Sequence, residues 1–183
     1  KKNNSFWHEK QFKRFIRHLK KGDSVIDIGC AYAIHVPLFL GMGRHLKYEG
    51  LDISKTMLKL AKSRYLQLKF FQADILDRKT LPKKRYDAFW AGAVLMHIPE
   101  KDWPKMLDNF ESIIKKGGYG YMSLPKTRPV PDKVGQRYFN LFDKNKLDKV
   151  FKKQNWKITE SGFLGMGTSG MEWYWYIVQL QKK

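Results

Sequence analysis

The stretch "SVIDIGCAYAIHV", residues 24–36, constrains the fold more than any other part of the chain. Val25-Ile26-Asp27-Ile28 is a short apolar run of the kind that forms a strand buried on both faces. Gly29 follows it, and a helix is predicted over 34–41, where Pro37 is tolerated because it falls in the first turn. Strand, glycine turn and helix in that order are the start of a βαβ unit, and the turn is where such units let a ligand approach the backbone. Two further turn positions carry Ala31 and Ala33, not glycine.

The same alternation recurs downstream. Before it, Phe12, Phe15, Ile16 and Leu19 have helical spacing and predict a helix over about 5–20, ended by Gly22-Asp23. After it, "LKYEGLDI" reads as a strand, and Ser54 caps a helix with Met57, Leu58 and Ala61 on one face. "LQLKFFQAD" and "YDAFWAG" read as the third and fourth strands. Pro99 opens a helix at about 100–115, with Trp103, Met106, Leu107, Phe110 and Ile114 turned inward. Gly117-Gly118 is expected to form a turn, and "YGYMSL" a fifth strand. Strands alternating with helices predict a parallel sheet covered on both faces. The proline-rich "PKTRPVPDKVGQ" reads as a surface or lid segment. Beyond a helix at about 143–153, "WKITESGFL" and "EWYWYIVQLQ" have no helix between them, so they are expected to form an antiparallel hairpin added to the sheet. In the second of these, Trp173 and Trp175 face one side and Tyr174 and Tyr176 the other, a pattern of core packing; stacking on RNA bases is the sharper alternative.

Chemistry gathers at the strand ends. Asp52 ends the second strand, where a carboxylate can accept hydrogen bonds from ribose hydroxyls. Asp74 ends the third and can accept from an exocyclic adenine amine. Together with Gly29 they form an adenosine-binding edge, at the side of the sheet where open α/β folds bind ligands. His97, after the fourth strand, is the best candidate base, and capping the turn before Pro99 is its structural alternative. His35 is read as more solvent-facing than ligand-facing, and His8, His18 and His45 as surface residues.

At 183 residues, the chain is expected to be one domain, divided into an N-terminal helix (1–21), a binding core (22–124), a loop or lid (125–142) and a C-terminal helix with hairpin (143–183). The net charge of +19 attracts polyanions, so nucleic acid is a candidate partner. Lysine outnumbers arginine, however, and the basic doublets are dispersed along the chain, which suits a solvated surface equally well. Clustering of these lysines around His97 in the fold would favour a polyanionic substrate. No apolar run is long enough to span a membrane and no signal peptide is visible. The single cysteine makes neither disulfide nor zinc cluster, so no metal site is expected and a reducing, cytoplasmic setting is the default. The chain starts at Lys1, which limits any reading of targeting. No obligate protein partner is evident.

The motifs, taken in order, resemble the class I S-adenosylmethionine-dependent methyltransferases, and within them the small type 11 group. "VIDIGCAYA" looks like their first motif, "YEGLDISKTMLKLAK" the second-strand motif, "FFQADILD" the third and "YDAFWAGAVLMHIP" the fourth. "IIKKGGYGYMSL" and "QRYFNLFDKNKLDKVFKKQNWKI", with the late Trp175, resemble the rest. The resemblance implies a Rossmann-like, mostly parallel seven-stranded sheet whose last strand is antiparallel, with S-adenosylmethionine as cofactor. It also implies roles. Asp27 and Gly29 would sit near the methionine part, with Cys30 and Ala31 supplying backbone. Asp52 would hold the ribose, and Ile53 and Met57 would flank the adenine. Asp74 would face the adenine amine beside Ile75, and the Ala91 carbonyl would lie near the cofactor's amino group. Trp7, with Phe6, is a candidate to close over the cofactor, with packing of the first helix as the alternative. Arg137 and Tyr138, after the proline-rich segment, are candidates to line the acceptor pocket, and Lys126 and Arg128 to sit on the lid, with an ordinary surface role as the alternative for each.

The family turn reads Gly-x-Gly-x-Gly, whereas this chain has alanine at the second and third positions. Alanine held at positive φ costs on the order of 1 kcal/mol, about tenfold in affinity, without abolishing binding. The expected function is therefore methyl transfer to a small-molecule acceptor. RNA as acceptor, and a non-catalytic cofactor-binding role, are the alternatives. A nicotinamide-dependent dehydrogenase fits less well, because the turn lacks Gly-x-Gly-x-x-Gly spacing.

Overall fold

The structure is a computed structural model and describes residues 9–41, 43–126, 140–165 and 172–181. Strands β1 (Ser24–Ile28), β2 (Lys47–Asp52), β3 (Lys69–Gln72), β4 (Tyr86–Ala91), β5 (Ile114–Pro125), β6 (Trp156–Leu164) and β7 (Trp173–Leu180) form one sheet in the order β3-β2-β1-β4-β5-β7-β6. β1 through β5 pair in parallel. β7 is antiparallel to both β5 and β6, the expected hairpin.

Helices α1 (Glu9–Phe15), α2 (Val36–Gly41), α3 (Lys55–Arg64), α4 (Trp103–Ile113) and α5 (Lys144–Lys153) cover the two faces. Alternation along the strands divides the core accordingly. Val25, Ala88, Trp90, Tyr121, Trp175 and Ile177 pack with Phe12, Phe15 and Phe39. Ile26, Phe89, Met122, Tyr176 and Val178 pack with Trp103, Phe110 and Phe151 on the other side. The aromatic run of β7 is thus core on both faces: Trp173, Trp175 and Tyr176 are buried. Trp90 stacks on Tyr121 with ring centroids 3.8 Å apart. Burial of this many aromatic side chains is the main stabilising term.

Three local expectations are corrected. The first helix ends before residue 20: among the described residues α1 runs to Phe15 and tightens into a 3₁₀ turn, Ile16–His18. The fourth helix begins as a 3₁₀ turn, Glu100–Asp102, and stops at Ile113, so Ile114 starts a strand. Gly117-Gly118 is no turn between elements. Both lie inside β5, beside a register shift between Tyr86 and Ala88 that absorbs Gly117 at φ +78°. A bulge of this kind looks like a turn in sequence because it needs the same residue. Among the described residues no helix is long and apolar enough to cross a membrane.

Candidate active site

The parallel strands leave their C-terminal ends on one edge, and the loops following β1 to β4 meet there. The turn after β1 is tied to the end of β2: the Gly29 and Cys30 N–H groups both donate to the Leu51 carbonyl, at 2.8 and 3.0 Å. The Ala31 N–H donates to Asp52 Oδ2 at 2.9 Å, and the other oxygen of Asp52 accepts from the Ser54 N–H at 2.8 Å. One carboxylate therefore braces both the turn and the start of α3, which Ser54 caps by accepting from the Met57 N–H. Gly29 has φ +68°, and a Cβ there would collide with the Val94 side chain. Ala31 and Ala33 lie in the left-handed region too, at φ 48° and 65°. The two family glycine positions thus keep their glycine conformation while carrying alanine.

The other walls are fixed by polar contacts to the backbone. After β4, Ala93 also has positive φ, 55°, and donates its N–H to Ser123 Oγ on β5 at 2.8 Å. This sets the 3₁₀ turn Leu95–His97 at the mouth of the site. After β3, Asp74 Oδ1 accepts from the Leu76 N–H at 2.8 Å, and the buried Asn109 of α4 donates to the Ile75 carbonyl at 2.8 Å.

Between these loops lies a cavity of about 610 Å³, within the size range of small-molecule sites. Of the residues expected from sequence, Gly29, Ala31, Asp52, Ile53, Met57, Asp74, Ile75 and His97 line it. Asp27, Cys30 and Ala91 do not. Asp27 is fully buried beneath the turn, accepting from the Tyr48 hydroxyl at 2.8 Å and facing His35 Nδ1 at 3.2 Å. That arrangement also corrects the solvent-facing reading of His35, which is only 7% exposed. The spacing of a strand-end aspartate is the same whether it points up into the site or down into the core, so the sequence alone could not separate these cases. Cys30 is packed in the α1–α3 layer. Burial, then Asp27 and Asp52, push its thiol up and disfavour the nucleophilic thiolate. His18 is partly buried and lies 2.9 Å from Glu160. Trp7, Arg137 and Tyr138, with Phe6, His8 and Arg128, lie outside the described residues; Lys126 is paired with Glu172.

Sequence reasoning missed Tyr32, Ala93, Val94, Met96 and Ile98, which also line the cavity. Tyr32 stands between the two alanines, and Arg64 sits over its ring at 4.6 Å. Among the described residues the lining is mostly apolar; Asp52, Asp74, His97 and the Tyr32 phenol are its ionisable groups, and it has no lysine or arginine. Such a site suits a ligand bearing hydroxyls, amines or positive charge and repels a pyrophosphate.

Comparison with known proteins agrees with this architecture. In solved structures the fold is similar to that of the 1,6-didemethyltoxoflavin-N1-methyltransferase of Burkholderia thailandensis, crystallised with S-adenosylhomocysteine (TM-score 0.78, 13% identity, covering 98% of this chain and 80% of that one). It is also similar to the N-methyltransferase NodS of Bradyrhizobium japonicum (0.72, 11%, 98% and 99%) and to the [4+2]-cyclase SpnF (0.75, 12%, 96% and 81%). An uncharacterised protein of Methanocaldococcus jannaschii is 25% identical over 140 residues, 73% of this chain. The chain spans about a third of that relative's length, 36%. The family model described as "Methyltransferase domain" matches residues 25–118, more than half of the chain, and the protein belongs to that family.

Proposed function

We propose that the protein binds S-adenosylmethionine in this cavity and transfers its methyl group to a small, largely apolar acceptor. The observation that carries the reading is the convergence of Gly29, Asp52 and Asp74 on one cavity that also contains His97. Asp52 keeps lone pairs for ribose hydroxyls beyond the two backbone bonds it accepts. Ile53, 65% exposed in a site lined with apolar groups, and Met57 suit the two faces of an adenine. Asp74 suits its amine, beside Ile75. Gly29 and Ala31 offer close backbone approach, while Asp27, Cys30 and Ala91 act from beneath, holding the turn and strand ends.

The cofactor supplies an electrophilic sulfonium methyl. What remains for the chain is to align an acceptor, exclude water and, where the acceptor atom carries a tightly held proton, accept that proton at the His97 imidazole. Val94, Met96 and Ile98 beside His97 favour an acceptor with an apolar body. Among the described residues no lysine or arginine lines the cavity to grip a polyanion there. Trp7, Arg137 and Tyr138 are proposed as further acceptor contacts. A second reading, cofactor binding without methyl transfer, is favoured by the alanines at left-handed positions and by the likeness to a protein described as a cyclase.

The test is calorimetric titration with S-adenosylmethionine and S-adenosylhomocysteine. Micromolar binding is expected, lost in Asp52→Ala and weakened several-fold in Ile53→Ala, whose exposed side chain leaves folding intact. Absence of binding by the folded wild type would overturn the proposal. Binding without methyl transfer to any of a panel of small acceptors would favour the second reading.

A further inference from the structure

A parallel sheet has two edges, and the cavity occupies only one. Four of the basic clusters among the described residues fall on the other, at 20–21, 83–85, 115–116 and 152–153. Lys20 and Lys21 lead into β1, and Arg44 and Lys47 into β2. Lys83, Lys84 and Arg85 directly precede β4, and Lys115 and Lys116 follow the first residue of β5. β6 runs parallel to β5, because both are antiparallel to β7, so Lys152, Lys153 and Lys157 arrive at the same edge. Register confirms the level: Ser24 is opposite Lys47, Val25 opposite Ala88, Tyr86 opposite Ile114, and Trp156 opposite Leu180.

Little of this charge is cancelled. Glu49 takes Lys84, and Asp87 takes Lys115. Arg85 donates to the carbonyls of Glu111 and Ile114, and Arg44 to that of Leu19, all neutral acceptors. Lys21, Lys47, Lys83, Lys152 and Lys153 are exposed and have no carboxylate partner among the described residues. Strands about 4.8 Å apart make this row roughly 25–30 Å long, comparable with one turn of a nucleic-acid duplex.

We infer that this basic edge, opposite the cavity, is a docking surface for the phosphate backbone of a nucleic acid, bound without reading its sequence. Lysines are point charges that neutralise phosphates without the fork that reads a base edge. The strands lie about 16–20 Å long between the edge and the cavity, beyond a Debye length of about 8 Å. The surface therefore tethers the protein to a polyanion and leaves acceptor choice to the cavity. An anionic membrane would need apolar anchors amid the charge. The exposed leucines on this side, Leu40 and Leu66, precede β2 and β3, at one end of the row and not amid the charge that runs on to β6.

The test is fluorescence anisotropy of the full chain with short labelled RNA and DNA duplexes between about 50 and 200 mM salt. Two double variants remove the edge charge, Lys20→Glu/Lys21→Glu and Lys152→Glu/Lys153→Glu. Lys101→Glu/Lys105→Glu makes the same charge change after β4, on the cavity side. Each edge pair is expected to lower the slope of log K against log salt by about 1.5–2 and to weaken binding at least tenfold, with the control near wild type. Thermal melts check folding, and either edge pair alone suffices. Equal losses in edge and control variants would overturn the inference, as would no binding at the lowest salt. So would binding to phosphatidylserine–phosphatidylcholine vesicles without binding to either duplex. The readout does not depend on methyl transfer.

Discussion

Ala31→Gly should stabilise this protein, against the usual sign for an alanine-to-glycine change. Ala31 sits at φ 48°, where an L-residue is disfavoured, and relief of that strain is worth about 1–2 kcal/mol. Glycine gives back roughly 0.4–1 kcal/mol through the freer unfolded chain. Ala31 is half-buried at the cavity wall, so little packing is lost with its methyl. The balance is a gain of about 0.5–1 kcal/mol, read as roughly 1–4 °C in Tm for a chain of this size. Ala33, at φ 65°, has the same strain but is only 2% exposed. Losing its methyl costs about 0.8 kcal/mol more, so Ala33→Gly should be near neutral. Thermal and urea unfolding of both variants, with and without S-adenosylhomocysteine, measure the pair. A fall of Tm in Ala31→Gly would refute the reasoning, because it would mean that the turn is not held left-handed.

Other perturbations test the supports of the site. Ser123→Ala removes the acceptor of the Ala93 N–H from a fully buried position, so stability should fall by about 1–3 kcal/mol in urea unfolding. Cys30 should resist thiol reagents in the native state and react at the rate of opening, since burial and two carboxylates keep it protonated; labelling followed through a urea series reads this directly. Burial works against ionisation of Glu160 and Asp87. Hydrogen bonds from His18 and Arg14 to the first, and from Lys115 and Ser24 to the second, outweigh it and hold both below the ordinary carboxylate value. Their stabilisation is complete above the unfolded values near pH 4 and is lost as pH falls through the lower folded values. Urea midpoints should therefore drop below about pH 4, less steeply in Glu160→Gln.

Much of the fold was legible because local patterns and the global architecture agree. Short apolar runs alternating with capped, amphipathic helices point to a parallel sheet, and the lack of any helical pattern in the sequence between the last two runs points to the antiparallel pair. Asp52 and Asp74 were legible as site residues because the end of a parallel strand is where the backbone opens onto a ligand. That Asp27 lies beneath the turn and not on the cavity wall was not legible, because a carboxylate near a strand's end can face either a cavity or a core. Gly117 was misread because a bulge and a turn ask for the same glycine.

The sequence by itself determined the layers, the strand at which the chain reverses direction, and the two acidic strand ends, since these follow from periodicity and from covalent neighbours. Tertiary structure alone decided that His35 and Asp27 pair beneath the turn, that Tyr32 and Val94 join the cavity, and that alanines occupy left-handed positions there. It also decided where the charge goes. Doublets far apart in sequence share one edge because every parallel strand starts on the same side of the sheet, and no local pattern carries that information.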